Sequence, residues 1–175
     1  LQGCTIASNP QYGIWAENSA PAIIGGSMSQ NGTTTSYGDI LLQGSLSARI
    51  EGVRLASAAK YGLYCDEASP QVRNVTIENH DIGIYIKGAS SSPRITRSTI
   101  RRNGVGIYNS LSSGLPVVGG AAGEGNLIAE NTRYGVENAD RYRCLDARYN
   151  DWGSPDGPED LSAKADACVD AVNEG

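Results

Sequence analysis

The chain has 175 residues, with 22 Gly, 9 Tyr, 2 Trp and no Phe, and a formal net charge of −5. That length suits one domain, and the acidic balance excludes nucleic acid as a general partner, because phosphate binding calls for a basic surface. No apolar run approaches the ~20 residues that cross a bilayer as a helix, so no membrane span is expected.

The chain opens on Leu1-Gln2-Gly3-Cys4-Thr5-Ile6, which reads as strand with no cap before it. Further N-terminal coils or end-to-end self-association are expected to cover that end, since an open solenoid end is a sticky sheet edge. Tyr12-Gly13-Ile14-Trp15 then introduces a frame of an apolar residue, Gly, an aliphatic residue and usually an aromatic. It returns as Tyr61-Gly62-Leu63-Tyr64, Ile82-Gly83-Ile84-Tyr85 and Val105-Gly106-Ile107-Tyr108, with weaker copies at Tyr37-Gly38-Asp39-Ile40 and Tyr134-Gly135-Val136-Glu137. The glycines step by 25, 24, 21, 23 and 29 residues (13 to 38, 62, 83, 106, 135). Self-similarity at this period predicts stacked repeats, in which no unit buries its apolar face alone.

Each frame is followed by a second phase, in Pro21-Ala22-Ile23, Pro70-Gln71-Val72, Pro93-Arg94-Ile95 and Pro116-Val117-Val118, with Ser47 to Ile50 as the counterpart lacking Pro. A third contains Ile77 and Ile100, followed by Asn79 and Asn103, with Asn31 and Asn131 at similar places. Short strands, three per turn and alternating in and out, account for the pattern. Pro is tolerated at a strand start, and Asn at the turns predicts a structural stack from coil to coil.

Alternation turns Ile14/Ala16, Leu63/Cys65, Ile84/Ile86 and Ile107/Asn109 inward. Trp15, Leu41, Tyr64, Tyr85 and Tyr108 then face outward, one per coil. At the strand spacing of roughly 4.8 Å they form a ladder about 20 Å long. Such rings can receive a sugar or a protein, or simply stack and shield the strands. A one-residue slip would send the ladder inside.

Cys65 is expected as a buried thiol, and Cys4 as free or paired outside the chain. A Cys144–Cys168 disulfide would pin the C-terminal segment to the last coil. Asn31-Gly32-Thr33 and Asn74-Val75-Thr76 are glycosylation sequons, relevant in a eukaryotic secretory setting. Leu161, Ala165, Cys168, Val169 and Val172 recur at helical spacing after Pro158-Glu159-Asp160, which predicts a closing helix or tail.

The Gly-Ile-Tyr frames, the Pro-x-Ile phase and the run Gly119-Gly120-Ala121-Ala122-Gly123-Glu124-Gly125-Asn126-Leu127-Ile128 resemble the right-handed parallel β-helix repeat superfamily, also called pectate-lyase-like. The segment from Leu145 through Asn150-Asp151-Trp152-Gly153 to Pro158 is similar to an end signature of such proteins. The resemblance implies an all-β right-handed solenoid of about six coils over residues 1–158, with a cap over 159–175, and is nearly silent on activity.

Polygalacturonase-like members carry an Asp-Asp pair, a Gly-His-Gly turn and an Arg-x-Lys, and none of these occurs here. Asp66, Glu67, Glu78 and Asp81 are the carboxylates available for acid–base work, while His80 reads as a turn residue rather than a base. Arg73, Arg94, Arg97, Arg101 and Arg102 form a basic face, read as solvated, with an anionic glycan or acidic protein as its alternative partner. No metal site and no cofactor are expected. Asn150, Asp151, Asp156, Glu159 and Asp160 supply oxygens of the kind calcium prefers, without a calcium-hand spacing. The sequence reading is therefore an extracellular, cell-surface or periplasmic structural or adhesive module that binds a glycan through Trp15, Tyr64, Tyr85 and Tyr108. Its alternative is a polysaccharide lyase or glycoside hydrolase acting on an anionic polysaccharide.

Overall fold

A computed structural model describes residues 1–154 except 34, 35, 46, 141 and 142. The expected helix over 161–172 and Cys168, one end of the expected Cys144–Cys168 bridge, lie outside the described residues.

Every strand pairing is parallel and joins one turn to the next. The frame sheet stacks Ile14–Glu17, Gly38–Gln43, Tyr61–Asp66, Ile82–Lys87, Val105–Asn109 and Tyr134–Asn138. The proline sheet stacks Ala22–Ile24, Arg49–Glu51, Gln71–Arg73, Arg94–Thr96 and Val117–Val118. The third sheet stacks Thr5–Ala7, Ser27–Ser29, Arg54–Leu55, Thr76–Glu78, Thr99–Arg101 and Leu127–Ala129. Sheets of 6, 6 and 5 strands make about five full turns of a parallel β-helix. The end-signature segment adds to the top of the stack through the bridges Val117↔Asp146 and Leu127↔Asp151, and Trp152 packs against the core. No helix among the described residues is long and apolar enough to cross a membrane.

The register sets like residues over like. Ile40, Leu63, Ile84 and Ile107 line the frame sheet, Ile23, Ile50, Val72, Ile95 and Val118 the proline sheet, and Met28, Leu55, Ile77, Ile100 and Ile128 the third, all essentially buried. A tube this narrow is filled by aliphatic columns and has no place for Phe. Each proline stands just ahead of its strand, where its missing N–H breaks no ladder. Its carbonyl still accepts from the next coil, as in Arg49 N to Pro21 O at 2.9 Å and Arg94 N to Pro70 O at 3.1 Å.

Polar ladders turn the corners. Asn31 Oδ1 accepts from Asn9 N at 3.3 Å, Asn103 Oδ1 from His80 N at 3.1 Å, and Asn131 Oδ1 from Asn103 N at 3.0 Å. At another corner Ser98 N donates to Asn126 and Asn126 N to Asn150, each at 2.9 Å. The expected stack is therefore present with one correction. Asn79 is exposed at φ 67°, and the buried ladder position belongs to His80 beside it. Asn31 is buried in its ladder while Asn74 is exposed, so the two sequons are not equally accessible.

The basic face is largely neutralised. Arg94 pairs with Glu124, Arg101 Nε with Glu78 at 3.2 Å, and Arg97 Nε donates to the Gly123 carbonyl at 2.9 Å. Among the described residues Arg73 is exposed without an ion pair. Glu78 is buried and also accepts from Arg54, at 2.6 and 3.0 Å. Burial opposes its ionisation, but the hydrogen bonds and charges of Arg54 and Arg101 outweigh that and hold the carboxyl below its ordinary value. A depressed carboxyl stabilises the fold above its unfolded pKa of about 4.3, and that contribution is lost as pH falls through the folded value. Glu78→Gln should thus lower stability near neutral pH by about 1 kcal/mol, limited by the solvent around both guanidinia. The difference from wild type should shrink in urea titrations as pH falls below about 4.3.

Candidate functional site

The frame repeats because of steric exclusion between coils. A Cβ on Gly83 would stand 2.6 Å from the Gly106 carbonyl oxygen and 3.1 Å from Asn103 Nδ2, and one on Gly106 would stand 2.4 Å from the Gly135 oxygen. The glycine faces inward, where the next coil and the corner ladder already fill the space. The aliphatic residue after it is buried too, so strict alternation resumes only from there. The next residue turns out to the surface.

That outward position forms one row in register: Trp15 pairs with Leu41, Leu41 with Tyr64, Tyr64 with Tyr85, Tyr85 with Tyr108, and Tyr108 with Glu137. The expected ladder members share a face, and the acid ends the row. Their surroundings differ. Trp15 is 61% exposed, whereas the tyrosines are half-buried. Tyr85 and Tyr108 stack at 5.3 Å with 5° between planes, and Tyr64 meets Tyr85 edge-on at 5.0 Å. Stacked tyrosines cover each other's faces and leave edges and hydroxyls for a ligand. Trp15 is the most exposed ring of the row, and no other aromatic of the described residues packs on it.

Sequence reasoning missed three further rings. Tyr61 lies 5.0 Å from Tyr64 and 5.2 Å from Tyr85, and Tyr12 meets Tyr37 at 5.3 Å. The signal was available in the first frame position, Tyr in four of the six copies, once the glycine is known to point inward. Burial pushes the Tyr12 phenol well up, with Tyr64, Tyr61 and Tyr37 adding to it. Burial also raises Tyr64, helped by Asp66, and Tyr85, helped by Tyr61 and Tyr108. These three phenols stay protonated at neutral pH and can both donate and accept.

Two residues along each strand runs a second outward row, Glu17, Gln43, Asp66 and Lys87, in register beside the aromatic one. Lys87 Nζ stands 3.5 Å from Asp66, and Lys60 Nζ lies 5.3 Å from the Tyr61 ring centre. The sheet thus presents rings flanked by amide, carboxylate and ammonium groups.

The carboxylates considered for catalysis are separately engaged. Asp66 faces Lys87, Glu67 accepts from Ser90 N at 2.8 Å, Glu78 holds two arginines, and Asp81 Oδ1 pairs with Arg133 at 2.5 Å. His80 is fully buried against Asp39 at 3.1 Å. Asn150 is committed to the corner ladder, and no group of three or more His, Cys, Asp or Glu side chains suited to a metal occurs among the described residues. Cys65 is buried as expected, with burial pushing its thiol up, and Cys4 is exposed and free.

One frame departs from expectation. Ile14 pairs with Ile40 and Gly38 pairs with Tyr61, so in the second coil Asp39, not Gly38, occupies the glycine position.

No curated protein and no solved structure matches the chain. The family model described as the right handed beta helix region matches residues 1–132. With all three sheets parallel and every strand stacked on its counterpart one turn away, the chain belongs to the right-handed β-helix family.

Proposed function

We propose that this β-helix is a non-enzymatic recognition module working outside the cytoplasm, and that it binds carbohydrate along the frame sheet. The observation that carries this reading is the aromatic row set in register beside the polar row. Rings offer apolar surface to the faces of sugars, and a few placed polar groups orient hydroxyls. Trp15 is the principal platform, with the tyrosine edges extending it. Glu17 and Asp66 stand against Lys87 in the polar row, and Arg94 and Arg101 are tied to carboxylates, so the arrangement favours a neutral glycan over an anionic one. End-to-end contact with another subunit or further coils belongs to the same reading, since parallel sheets present pairing edges.

A glycan array probed with wild type, Trp15→Ala and Tyr85→Ala tests it. Wild type should retain neutral glycans, with the signal lost in Trp15→Ala and reduced in Tyr85→Ala. Binding that ignores both changes, or no binding by wild type, rejects the proposal.

A further inference from the structure

The second coil breaks the frame inside the core, and two other positions change with it. In the other frames of the sheet the inward position is Gly13, Gly62, Gly83, Gly106 or Gly135, and here it is Asp39. Glycine and the ladder residue of the same turn compete for one space. A Cβ would come 2.9 Å from Asn31 Nδ2 at Gly13, 3.1 Å from Asn103 Nδ2 at Gly83 and 3.0 Å from Asn131 Nδ2 at Gly106. Where glycine becomes Asp39, the ladder residue shrinks to Ser57, and one turn later it becomes His80.

The hydrogen bonds show how the exchange closes. In the regular ladder Asn103 Nδ2 donates to Asn131 Oδ1 at 3.1 Å. Asn31 has no asparagine on that side, and its Nδ2 donates instead to Asp39 Oδ1 at 2.8 Å. Ser57 Oγ donates to the same oxygen at 2.5 Å and accepts from Asn31 N at 3.0 Å, the task of an asparagine oxygen. The second carboxylate oxygen takes His80 Nε2 at 3.1 Å, with both side chains at 0% exposure. His80 Nδ1 is buried without a hydrogen bond.

We infer that Asp39, Ser57 and His80 act as one unit, a polar lock that replaces the local Gly-and-Asn pattern and ties the second coil to the third. Residues 41 apart in sequence are joined directly through the core. Among coils that otherwise repeat, the lock marks one stacking alignment. In an alignment that set any other coil against the second, His80 would face no carboxylate and Asp39 would lose its partner in the next turn. Breaking a buried polar set by removing one member is far more damaging than replacing the whole set consistently.

Thermal unfolding of Asp39→Gly, Ser57→Asn, His80→Asn and the triple variant tests the inference. The triple variant rebuilds the Gly-and-Asn pattern of the neighbouring coils. Each single change should lower Tm by roughly 6 °C or more in a domain of this size. The triple variant should recover more than half of the loss of the worst single change. Asp39→Asn, which keeps the shape, substitutes for Asp39→Gly if that variant does not fold. A triple variant that recovers less than half, or single changes that leave Tm unaltered, overturns the lock.

Discussion

Gly83→Ala is expected to destabilise the protein by about 3 kcal/mol, the upper part of the range for overpacked cores. The added methyl would stand 2.6 Å from the Gly106 oxygen, a backbone atom held in the frame sheet, and 3.1 Å from Asn103 Nδ2. Neither neighbour can withdraw cheaply. The Gly106 carbonyl belongs to a strand paired on both sides, and the Asn103 amide bonds Ile77 O at 3.2 Å and Asn131 Oδ1 at 3.1 Å. Relief would mean prying one coil from the next, and stacked repeats transmit such a change to their neighbours. Urea unfolding gives the number. Tyr85→Ala, two residues along the same strand but facing outward, should be distinctly milder because its ring is half-buried against other rings. Equal stability of Gly83→Ala and wild type would mean that the inter-coil contact does not set the glycine.

Much of this architecture was legible in the sequence because stacking imposes it locally. The glycine, the aliphatic residue after it and the proline before the second strand each answer a constraint that recurs once per turn, so each recurs in the chain. The outward row could be read from the same frame, and the register sets Trp15, Leu41, Tyr64, Tyr85 and Tyr108 in line. What stayed hidden depends on partners one or two turns away. Tyr37-Gly38 imitates the frame, and only the pairing of Ile40 with Leu63 places Asp39 at the inward position. Arg94 is neutralised by Glu124, 30 residues on, and Glu78 is gripped by Arg54 and Arg101 from the strands on either side. No local pattern announces either contact. His80 reads as a turn residue, and its neighbours Asn79 and Asp81 are both exposed, while the corner geometry draws the residue between them inside. Tyr12, Tyr37 and Tyr61 were missed because the alternation breaks at the inward glycine.

Trp15→Ala is expected to abolish most carbohydrate binding while leaving the fold intact. Among the row residues it combines the widest exposure, 61%, with a ring face that no other aromatic covers. Its removal uncovers no buried polar group and opens no core cavity, so its effect on Tm should be small. Truncation of an anchoring Trp typically removes 2 kcal/mol or more, which is roughly thirtyfold in Kd. Tyr85→Ala should weaken binding less, since that ring presents an edge, and it loosens the neighbouring stack as well. The two changes therefore separate a ring that receives the ligand from one that supports the sheet.

The most direct measurement is calorimetric titration of wild type and Trp15→Ala with the neutral glycan that the array selects, with Tm recorded for both. The account predicts saturable binding by wild type, at least about a thirtyfold weaker Kd in Trp15→Ala, and an unchanged Tm. Equal affinity in the two proteins, or a wild type that binds no glycan, would contradict it.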